Sequence, residues 1–208
     1  MLRNIIYIIS SIIVFFTGIV AYGIIINLRE ITLDEAKNNN NIDKITNPSI
    51  IVDRKNYTLE LYSDTTLVKK FNAVFGRNKG SLKLSKDDFI TPSGKFKICK
   101  IDSKHTYYKK LYLNYPKISD AAEALKMKII SRKEYLAISN SIKSTGCSFG
   151  ETPLGSDIGI QGIGEYNLIF KNLPFVFNWT NGSIAISNEN VDELLSVVNV
   201  GTKVIIKN

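Results

Sequence analysis

An uncharged stretch from Asn4 to Leu28 constrains the fold of this chain more than any other feature of its sequence. The stretch is rich in isoleucine, valine and phenylalanine, and as a helix it is long enough to cross a hydrocarbon core of about 30 Å. The apolar core of a secretory signal is usually only about 7 to 15 residues long, although Ala21-Tyr22-Gly23 offers small residues at a cleavage spacing. We therefore predict an uncleaved transmembrane anchor over residues 1–28, with a cleaved signal peptide as the alternative.

The charges that flank this stretch predict its orientation. Arg3 lies just before the apolar run, whereas Arg29 is followed at once by Glu30. Positive charge favours the cytoplasmic side of a membrane, so we expect the N-terminus in the cytoplasm and the rest of the chain outside it.

Residues 29–48 are predicted to form a polar tether. They are interrupted by the run Asn38-Asn39-Asn40-Asn41 and contain too few apolar residues to bury a face of their own. The remaining residues, 49–208, are enough for one domain.

The charge of the 208-residue chain does not favour nucleic acid as a partner. Lys and Arg outnumber Asp and Glu by 27 to 19, which gives a net charge of +8, yet the lysines are dispersed. Nucleic-acid-binding domains gather such charge into a patch, so we expect no nucleic acid, and a basic surface suits anionic lipids and wall polymers instead. The sequence does not identify a protein partner.

Histidine and cysteine are too rare to predict a metal site or any other cofactor. His105 is the only histidine, and no CxxC motif accompanies it, so we expect an ordinary surface or hydrogen-bonded residue. Cys99 and Cys147 are the only two cysteines, and whether they pair in an oxidising compartment stays open at this point.

The body alternates between apolar and polar residues along much of its length, which predicts a mainly β fold with a few helices. The predicted strands are Ile51–Arg54 and Tyr57–Tyr62 around the turn at Lys55-Asn56, then Leu67–Phe75, Lys95–Ile101, Leu111–Tyr115, Ile158–Gln161, Asn167–Phe170, Phe175–Phe177 and Lys203–Ile206. Three helices are predicted from capping residues: Asp120–Met127 after Ser119, a helix after Ser131 with Glu134 in capping-box spacing, and Val191–Val198 after Ser187.

Several segments in order resemble the L,D-transpeptidase (YkuD-type) catalytic domain, especially its branch with a Trp-Thr-x-Gly-Cys-Ile-Ala signature. The most specific segment is Trp179-Thr180-Asn181-Gly182-Ser183-Ile184-Ala185, which continues to Asn188. The other matching segments are Asp88–Gly94, Tyr115-Pro116, Ile130–Tyr135, Thr152–Gly155, Ile160–Gly162 and Gly201–Val204. The resemblance covers nearly all of residues 49–208 and implies an L,D-transpeptidase-like β-sandwich with a small helical insertion, preceded by one transmembrane helix.

The resemblance implies a bacterial cell-wall protein whose ligand is a peptidoglycan stem peptide. In the family a cysteine thiolate attacks the peptide carbonyl and a histidine acts as its base. This sequence holds Ser183 at the cysteine position and Gln161 at the histidine position. Gly162, Thr180, Asn181 and Gly182 match the family's substrate or oxyanion positions.

Three hypotheses follow for this altered site. The first is a catalytically degenerate domain that binds peptidoglycan or regulates a partner. The second is an active acyltransferase that uses Ser183 with a base from elsewhere, such as a lysine, or uses Cys147 as the nucleophile. The third is that Asn181-Gly182 forms only a hairpin turn with no site. We also expect Trp179 to be a core residue first and a cleft wall second.

Overall fold

The computed structural model describes residues 2–27, 30–80, 82–148, 152–173 and 176–208 of the chain. Within these residues the chain forms eight strands: β1 Pro48–Asp53, β2 Thr58–Ser63, β3 Thr66–Asn72, β4 Gly94–His105, β5 Tyr108–Leu113, β6 Gly159–Gln161, β7 Ile184–Ala185 and β8 Lys203–Lys207. The helices in the described part are α1 Leu2–Asn27, α2 Leu33–Asn39, α3 Ile118–Lys126, α4 Arg132–Thr145, α5 Asn167–Phe170 and α6 Asn188–Leu195.

The eight strands make one mixed sheet in the order β3-β2-β1-β8-β4-β5-β6-β7. The β1–β8 and β6–β7 pairs are parallel, and the other neighbours are antiparallel. Beyond β3 the backbone of Val74 exchanges two hydrogen bonds of 2.9 Å with Ala185 in β7. The two ends of the strand order therefore meet, and the sheet curls around one core.

Alternation along the opening hairpin explains this core. Ile50 and Val52 on β1, and Leu59 and Leu61 on β2, are fully buried while their neighbours are more exposed. A strand places alternate side chains on opposite faces, so one apolar face of the hairpin packs inward. The predicted hairpin and the mixed fold with several helices are confirmed.

A helical insertion between β5 and β6 forms a second, smaller core. Ala121, Ala124, Ile130, Ile138 and Leu154 pack together between α3 and α4. A disulfide between Cys99 on β4 and Cys147 after α4 joins this insertion to the sheet.

The capping predictions hold for two of the three helices. Ser131 and Ser187 accept hydrogen bonds from the first turns of α4 and α6, as predicted. Ser119 does not cap α3, because the helix already begins at Ile118. The Lys117 N–H donates to the Asp120 carboxylate at 2.9 Å, and this bond holds the first turn instead.

The segment from Asn167 to Phe170 was predicted as a strand and is the short helix α5. Periodicity does not distinguish so short an apolar run, and tertiary contacts decide its conformation. The Asn167 side chain accepts from the Asn188 N–H and donates to Glu189, both at 2.9 Å. The predicted strand at Phe175–Phe177 is also wrong where it is described, since Val176 and Phe177 are irregular and exposed, and Phe175 lies outside the described residues.

Two further predictions need correction at their boundaries. The third strand was predicted to reach Phe75, but β3 ends at Asn72 and the chain continues through isolated bridges at Val74 and Gly76. The predicted tether contains α2, on which Leu33 and Ala36 are buried against the body. A capping box between Thr32 and Glu35 supports this helix, and two well-placed apolar residues are enough to dock it.

Candidate functional site

Strand pairing brings the two motif segments together. Gln161 ends β6 and lies opposite Ala185 of β7 in the parallel pair, and Ser183 directly precedes β7. The Ile186 N–H donates to the Gln161 carbonyl at 3.0 Å beyond the pair. Ser183 and Gln161 therefore occupy neighbouring strands, as a nucleophile and its base would.

A tight turn presents Ser183. Thr180 Oγ1 donates to the Ser183 carbonyl at 2.5 Å and accepts from the Gly182 N–H at 3.2 Å. Gly182 has φ 118°, and a Cβ there would lie 2.7 Å from the carbonyl oxygen of Ile90. Only glycine fits this position. The Gly182 N–H points into the turn, so it is not directed at an oxyanion in this geometry.

The hydroxyl of Ser183 forms two hydrogen bonds with the backbone, one as donor and one as acceptor. It donates to the Asp157 carbonyl at 3.0 Å and accepts from the Gly159 N–H at 3.3 Å. Ser183 is only 5% exposed. Its side chain therefore ties the start of β7 to the chain that leads into β6.

A buried lysine shares the acceptor of Ser183. Lys110 is 1% exposed, and its Nζ donates to the same Asp157 carbonyl at 2.9 Å. The amine also lies 2.9 Å from the Asp157 carboxylate. Burial lowers the pKa of Lys110, and the nearby Asp157 carboxylate only partly opposes this shift.

Gly162 and Asn188 shape the turn that follows β6. A Cβ on Gly162 would lie 2.6 Å from Asn188 Oδ1 and 2.9 Å from the Tyr107 carbonyl. Asn188 Oδ1 accepts from the N–H groups of Ile163 and Gly164, each at 3.0 Å. Gly162 therefore serves a close backbone approach, and Asn188 at the start of α6 holds the turn in place.

These residues lie at a cleft of about 640 Å³. Gln161, Thr180, Asn181 and Ser183 line it, which brings together the predicted catalytic pair and two predicted substrate positions. The other lining side chains are of two kinds: the aromatic Phe89, Tyr107, Tyr112 and Trp179, and the charged Lys83, Lys86, Asp87, Lys100, Lys110 and Asp157. Lys83 and Lys110 each form an ion pair with an aspartate, so the lining carries only a small excess of positive charge beside its apolar surface.

One wall of the cleft is held by a buried ion pair. Lys83 Nζ lies 2.7 Å from Asp88 Oδ1, and the Asp88 carboxylate also accepts from the N–H groups of Leu84, Ser85 and Ile90. Burial alone would raise the pKa of Asp88, but the hydrogen bonds from Lys83 and the backbone outweigh it and lower the pKa. Asp88 therefore stays ionised and fixes the loop before Phe89.

The Arg77 side chain holds Asn181 at the cleft. Arg77 Nη2 donates to Asn181 Oδ1 at 2.8 Å, and the Arg77 guanidinium lies 4.0 Å from the centre of the Phe89 ring. The Asn181-Gly182 turn is thus part of a cleft wall and more than a connection between strands.

Trp179 forms a wall of the cleft and is only partly buried. Its ring lies 5.3 Å from Tyr107 and 6.1 Å from Phe170, centre to centre. The prediction that Trp179 is first of all a core residue is therefore wrong.

Cys147, the alternative nucleophile, is bonded to Cys99 and is 1% exposed. A sulfur in a disulfide has no thiolate form, so it cannot attack a carbonyl in this state.

His105 is half-buried, and its Nδ1 accepts from the Tyr107 N–H at 3.1 Å. Burial lowers the pKa of His105, which favours the neutral ring. This agrees with the hydrogen-bonded histidine expected from the sequence.

A model of the L,D-transpeptidase catalytic domain family (YkuD) matches residues 47–206. The chain belongs to this family. No curated protein sequence matches the chain. The L,D-transpeptidase fold is that of residues 47–206, with α1 as an apolar helix in front of it.

Comparison with solved structures finds similar proteins at low sequence identity. An L,D-transpeptidase from Xylanimonas cellulosilytica is 13% identical, with a TM-score of 0.45, and the match covers 79% of this chain and 62% of that one. An L,D-transpeptidase from Mycobacterium smegmatis is also 13% identical, with a TM-score of 0.47 and coverage of 78% and 59%. The helical cell shape determining protein Pgp2 from Campylobacter jejuni is 17% identical, with a TM-score of 0.47 and coverage of 80% and 48%. The chain thus spans about half to three-fifths of the length of these proteins.

Sequence reasoning missed several residues of this L,D-transpeptidase-type cleft. Lys110, Tyr112 and Asp157 carry no motif, and a lysine pair on a strand is typical of a solvent-facing edge. Lys110 and Tyr112 alternate along the strand with the buried Leu111 and Leu113, and this alternation was the one sequence feature that could have indicated their position. It placed both side chains on the face opposite the core but could not show that a cleft covers that face.

Proposed function

We propose that this chain is a membrane-anchored, extracytoplasmic member of the L,D-transpeptidase family that binds peptidoglycan stem peptides without the family's cysteine chemistry. The observation that carries the proposal is the Ser183 hydroxyl, which is buried at the cleft and bonded to the backbone of Asp157 and Gly159. A hydroxyl in this position acts as a structural link.

The chemistry of the two substituted residues supports a non-catalytic site. A serine hydroxyl is barely ionised near neutral pH and needs a base, whereas the Gln161 amide cannot carry a proton away. Loss of the nucleophile in a well-studied hydrolase lowers turnover by about a million-fold. Cysteine-type transpeptidation is therefore not expected here.

The lining of the cleft supports peptide binding. Lysines along the cleft complement the carboxylates of a stem peptide, and Tyr107, Tyr112 and Trp179 offer apolar surface to its alkyl groups. Such a cleft recognises a ligand by charge and stacking and does not require a reactive side chain.

The apolar helix α1 supports placement at a membrane. Residues Leu2–Ile25 form a helix long and apolar enough to cross a bilayer, a character that a signal sequence near the N-terminus shares. Together with the charge bias at Arg3, this favours a single span with the cleft domain outside the cytoplasm of a bacterial cell.

The experiment measures binding and turnover on the same preparation. Purified full-length protein is titrated with a tetrapeptide-bearing muropeptide by calorimetry. It is then incubated with that donor and an amine acceptor, and intact protein and products are analysed by mass spectrometry. We expect saturable binding, no mass adduct and no cross-linked product. A protein that neither binds nor reacts contradicts the proposal.

A restored site provides the matched control. The double substitution Ser183→Cys and Gln161→His returns the family's nucleophile and base to a cleft that is otherwise unchanged. We expect the thiol of this variant to attack the bound peptide carbonyl, break its amide bond, release the residue that follows and leave a thioester adduct, because binding already positions the carbonyl. If the wild-type protein binds the donor and the double variant still forms no adduct, the peptide is bound out of register with residue 183.

A second candidate function is acyl transfer by Ser183 with Lys110 as its base. Ser183 Oγ and Lys110 Nζ both donate to the Asp157 carbonyl oxygen, at 3.0 Å and 2.9 Å. The distance between Oγ and Nζ therefore cannot exceed the sum of these two distances. Burial also lowers the pKa of Lys110, which favours the neutral amine that a base must be. An adduct on Ser183 that disappears on Lys110→Met would favour this function over binding alone.

A further inference from the structure

An apolar surface lies on the chain segment between β6 and the turn at Thr180. We define the α5 segment as residues 164–173 and 176–177, which run between β6 and the turn at Thr180. Five large apolar side chains of this segment are each more than half exposed: Tyr166, Leu168, Ile169, Val176 and Phe177. Clustered apolar exposure of this kind marks an interaction surface.

The α5 segment lies against the end of the apolar helix α1. Gly23 is buried, and a Cβ at that position would lie 1.7 Å from the carbonyl oxygen of Asn172. Only glycine allows this approach of two backbones. A cavity of about 420 Å³ beside the contact is lined by Gly23, Phe170 and Phe177 among others.

The position of Gly23 in α1 sets the depth of this contact. The uncharged stretch ends at Leu28, five residues further on. At 1.5 Å per helical residue, Gly23 and the adjacent Asn172 carbonyl lie about 7.5 Å inside the end of that stretch. A segment at this height meets the boundary between headgroups and acyl chains if α1 spans a bilayer.

We propose that the α5 segment inserts its exposed apolar side chains into the outer interface of the lipid bilayer, giving the domain a second membrane contact besides its anchor. This inference rests on the membrane anchorage proposed above. We favour the bilayer as the binding partner of this surface, because a spanning α1 would already place the α5 segment at the level of the lipid headgroups. Tyr166 is a side chain typical of that boundary, since its ring is apolar and its hydroxyl is polar.

The charges of the segment agree with an interfacial position. Lys171 Nζ forms an ion pair of 2.6 Å with Glu189 on α6. Hydrogen bonds from Lys171 and Asn167 lower the pKa of Glu189 to about 2 although burial opposes this shift. Lys171 and Glu189 thus pair with each other, and Glu165 is an exposed charged residue beside the apolar side chains of the segment.

The contact has a consequence for the cleft. Phe170 in α5 packs against Trp179, and Trp179 is a wall of the cleft. A bilayer that holds the α5 segment therefore also fixes one wall of the cleft close to the membrane surface. The peptide bound there is expected to be membrane-proximal wall material.

Fluorescence quenching in the full-length chain tests this contact. Trp179 is the only tryptophan, so a Trp179→Phe background is free of other indole signals. In that background we place one tryptophan at a time by Leu168→Trp or Ile169→Trp in the α5 segment. Leu136→Trp on the exposed face of α4 is the matched control, and Tyr22→Trp reports the anchor. Each protein is reconstituted in phosphatidylcholine vesicles with and without acyl-chain bromine.

We expect the two α5 variants to lose fluorescence roughly two-fold in brominated vesicles, because interfacial apolar faces sit about 5–10 Å into the boundary region. Tyr22→Trp should be quenched as well, and Leu136→Trp should be unchanged. Circular dichroism checks that each variant retains the fold, and both α5 positions are exposed, so either variant alone supports the test.

The remaining outcomes contradict the inference in distinguishable ways. Quenching of Tyr22→Trp without quenching of the α5 variants would leave the anchor intact and show that the surface faces water or a protein partner. Absence of quenching at all positions would overturn both the anchor and the second contact. Equal quenching of Leu136→Trp would mean that the domain adsorbs to lipid without a defined face.

Discussion

At the scale of single residues, the same serine can be read as a nucleophile or as a structural hydrogen-bonding group. The sequence predicts that Ser183 stands at the position of the family nucleophile, yet its hydroxyl is hydrogen-bonded to the backbone of Asp157 and Gly159. A structural hydroxyl contributes to stability, whereas a catalytic hydroxyl contributes to turnover. Substitution separates the two roles.

Ser183→Ala should destabilise the fold by about 1–3 kcal/mol, because the buried Gly159 N–H loses its acceptor. Ser148→Ala is the control, since Ser148 is similarly buried but its hydroxyl has no hydrogen-bond partner among the residues that the structure describes. Urea denaturation of the two variants measures the difference. Equal stability of Ser183→Ala and wild type would mean that the hydroxyl is free for chemistry.

Lys110 should give the protein a specific pH dependence. Burial lowers the pKa of its amine below the value of about 10.4 expected in the unfolded chain. Between those two pKa values the unfolded state binds more protons, so the free energy of unfolding rises with pH in that window. We expect Lys110→Met to remove this rise.

Lys109→Met provides the control for this measurement. The hydrogen bond from Lys109 to Asp192 raises the pKa of Lys109, so this lysine shifts in the opposite direction. The variant should keep the rise seen in the wild-type protein. Urea midpoints measured from pH 8 to pH 10 compare the three proteins, and an unchanged slope in Lys110→Met would contradict the burial of a charged amine.

At the scale of elements, the disulfide decides how firmly the helical insertion is held. Cys147 follows α4, and the chain from Thr152 to Ile158 then contributes several residues to the cleft. Its bond to Cys99 on β4 therefore restrains one side of the cleft as well as α4.

Reduction of this disulfide should lower stability by about 4 kcal/mol, because the bond closes a loop with a sequence separation of 48 residues. Thermal unfolding with and without a phosphine reductant measures the shift in Tm. The variant with Cys99→Ala and Cys147→Ala should unfold at the lower temperature with no response to the reductant. A wild-type protein that does not respond to complete reduction would contradict the prediction.

The short elements show where sequence patterns stop being informative. The α4 capping box, the β1–β2 hairpin and the α6 cap could be predicted because their defining contacts are local. The α5 helix and the docking of α2 could not, because side chains far away in sequence decide them. Glu193 accepts the Leu33 N–H at 3.1 Å, and no pattern near Leu33 predicts this bond.

At the scale of the whole molecule, charge and anchorage act together. The chain carries a net charge of +8, and the cleft adds an excess of lysines at the site where a ligand would bind. In the arrangement proposed above, a positive domain at the membrane would be attracted to an anionic ligand over about a Debye length, which is about 10 Å at 0.1 M salt.

Binding of a stem peptide should therefore weaken as salt increases from about 50 mM to 500 mM, since exposed charge pairs are screened over this range. A donor whose carboxylates are amidated is the control and should bind with little salt dependence. Calorimetric titration at each salt concentration gives the two slopes. Equal slopes would mean that the cleft lysines do not contact the ligand's carboxylates.

The sequence by itself determined the apolar helix at the N-terminus and the family of the body, and it predicted Ser183 and Gln161 as the two central site residues. These properties follow from composition, order and local spacing along the chain. Tertiary structure decided that Ser183 and Lys110 share the Asp157 carbonyl, that Cys99 and Cys147 pair, and that the α5 segment lies against Gly23. Each of these contacts joins residues far apart in sequence, and periodicity reports only the local environment of each strand or helix.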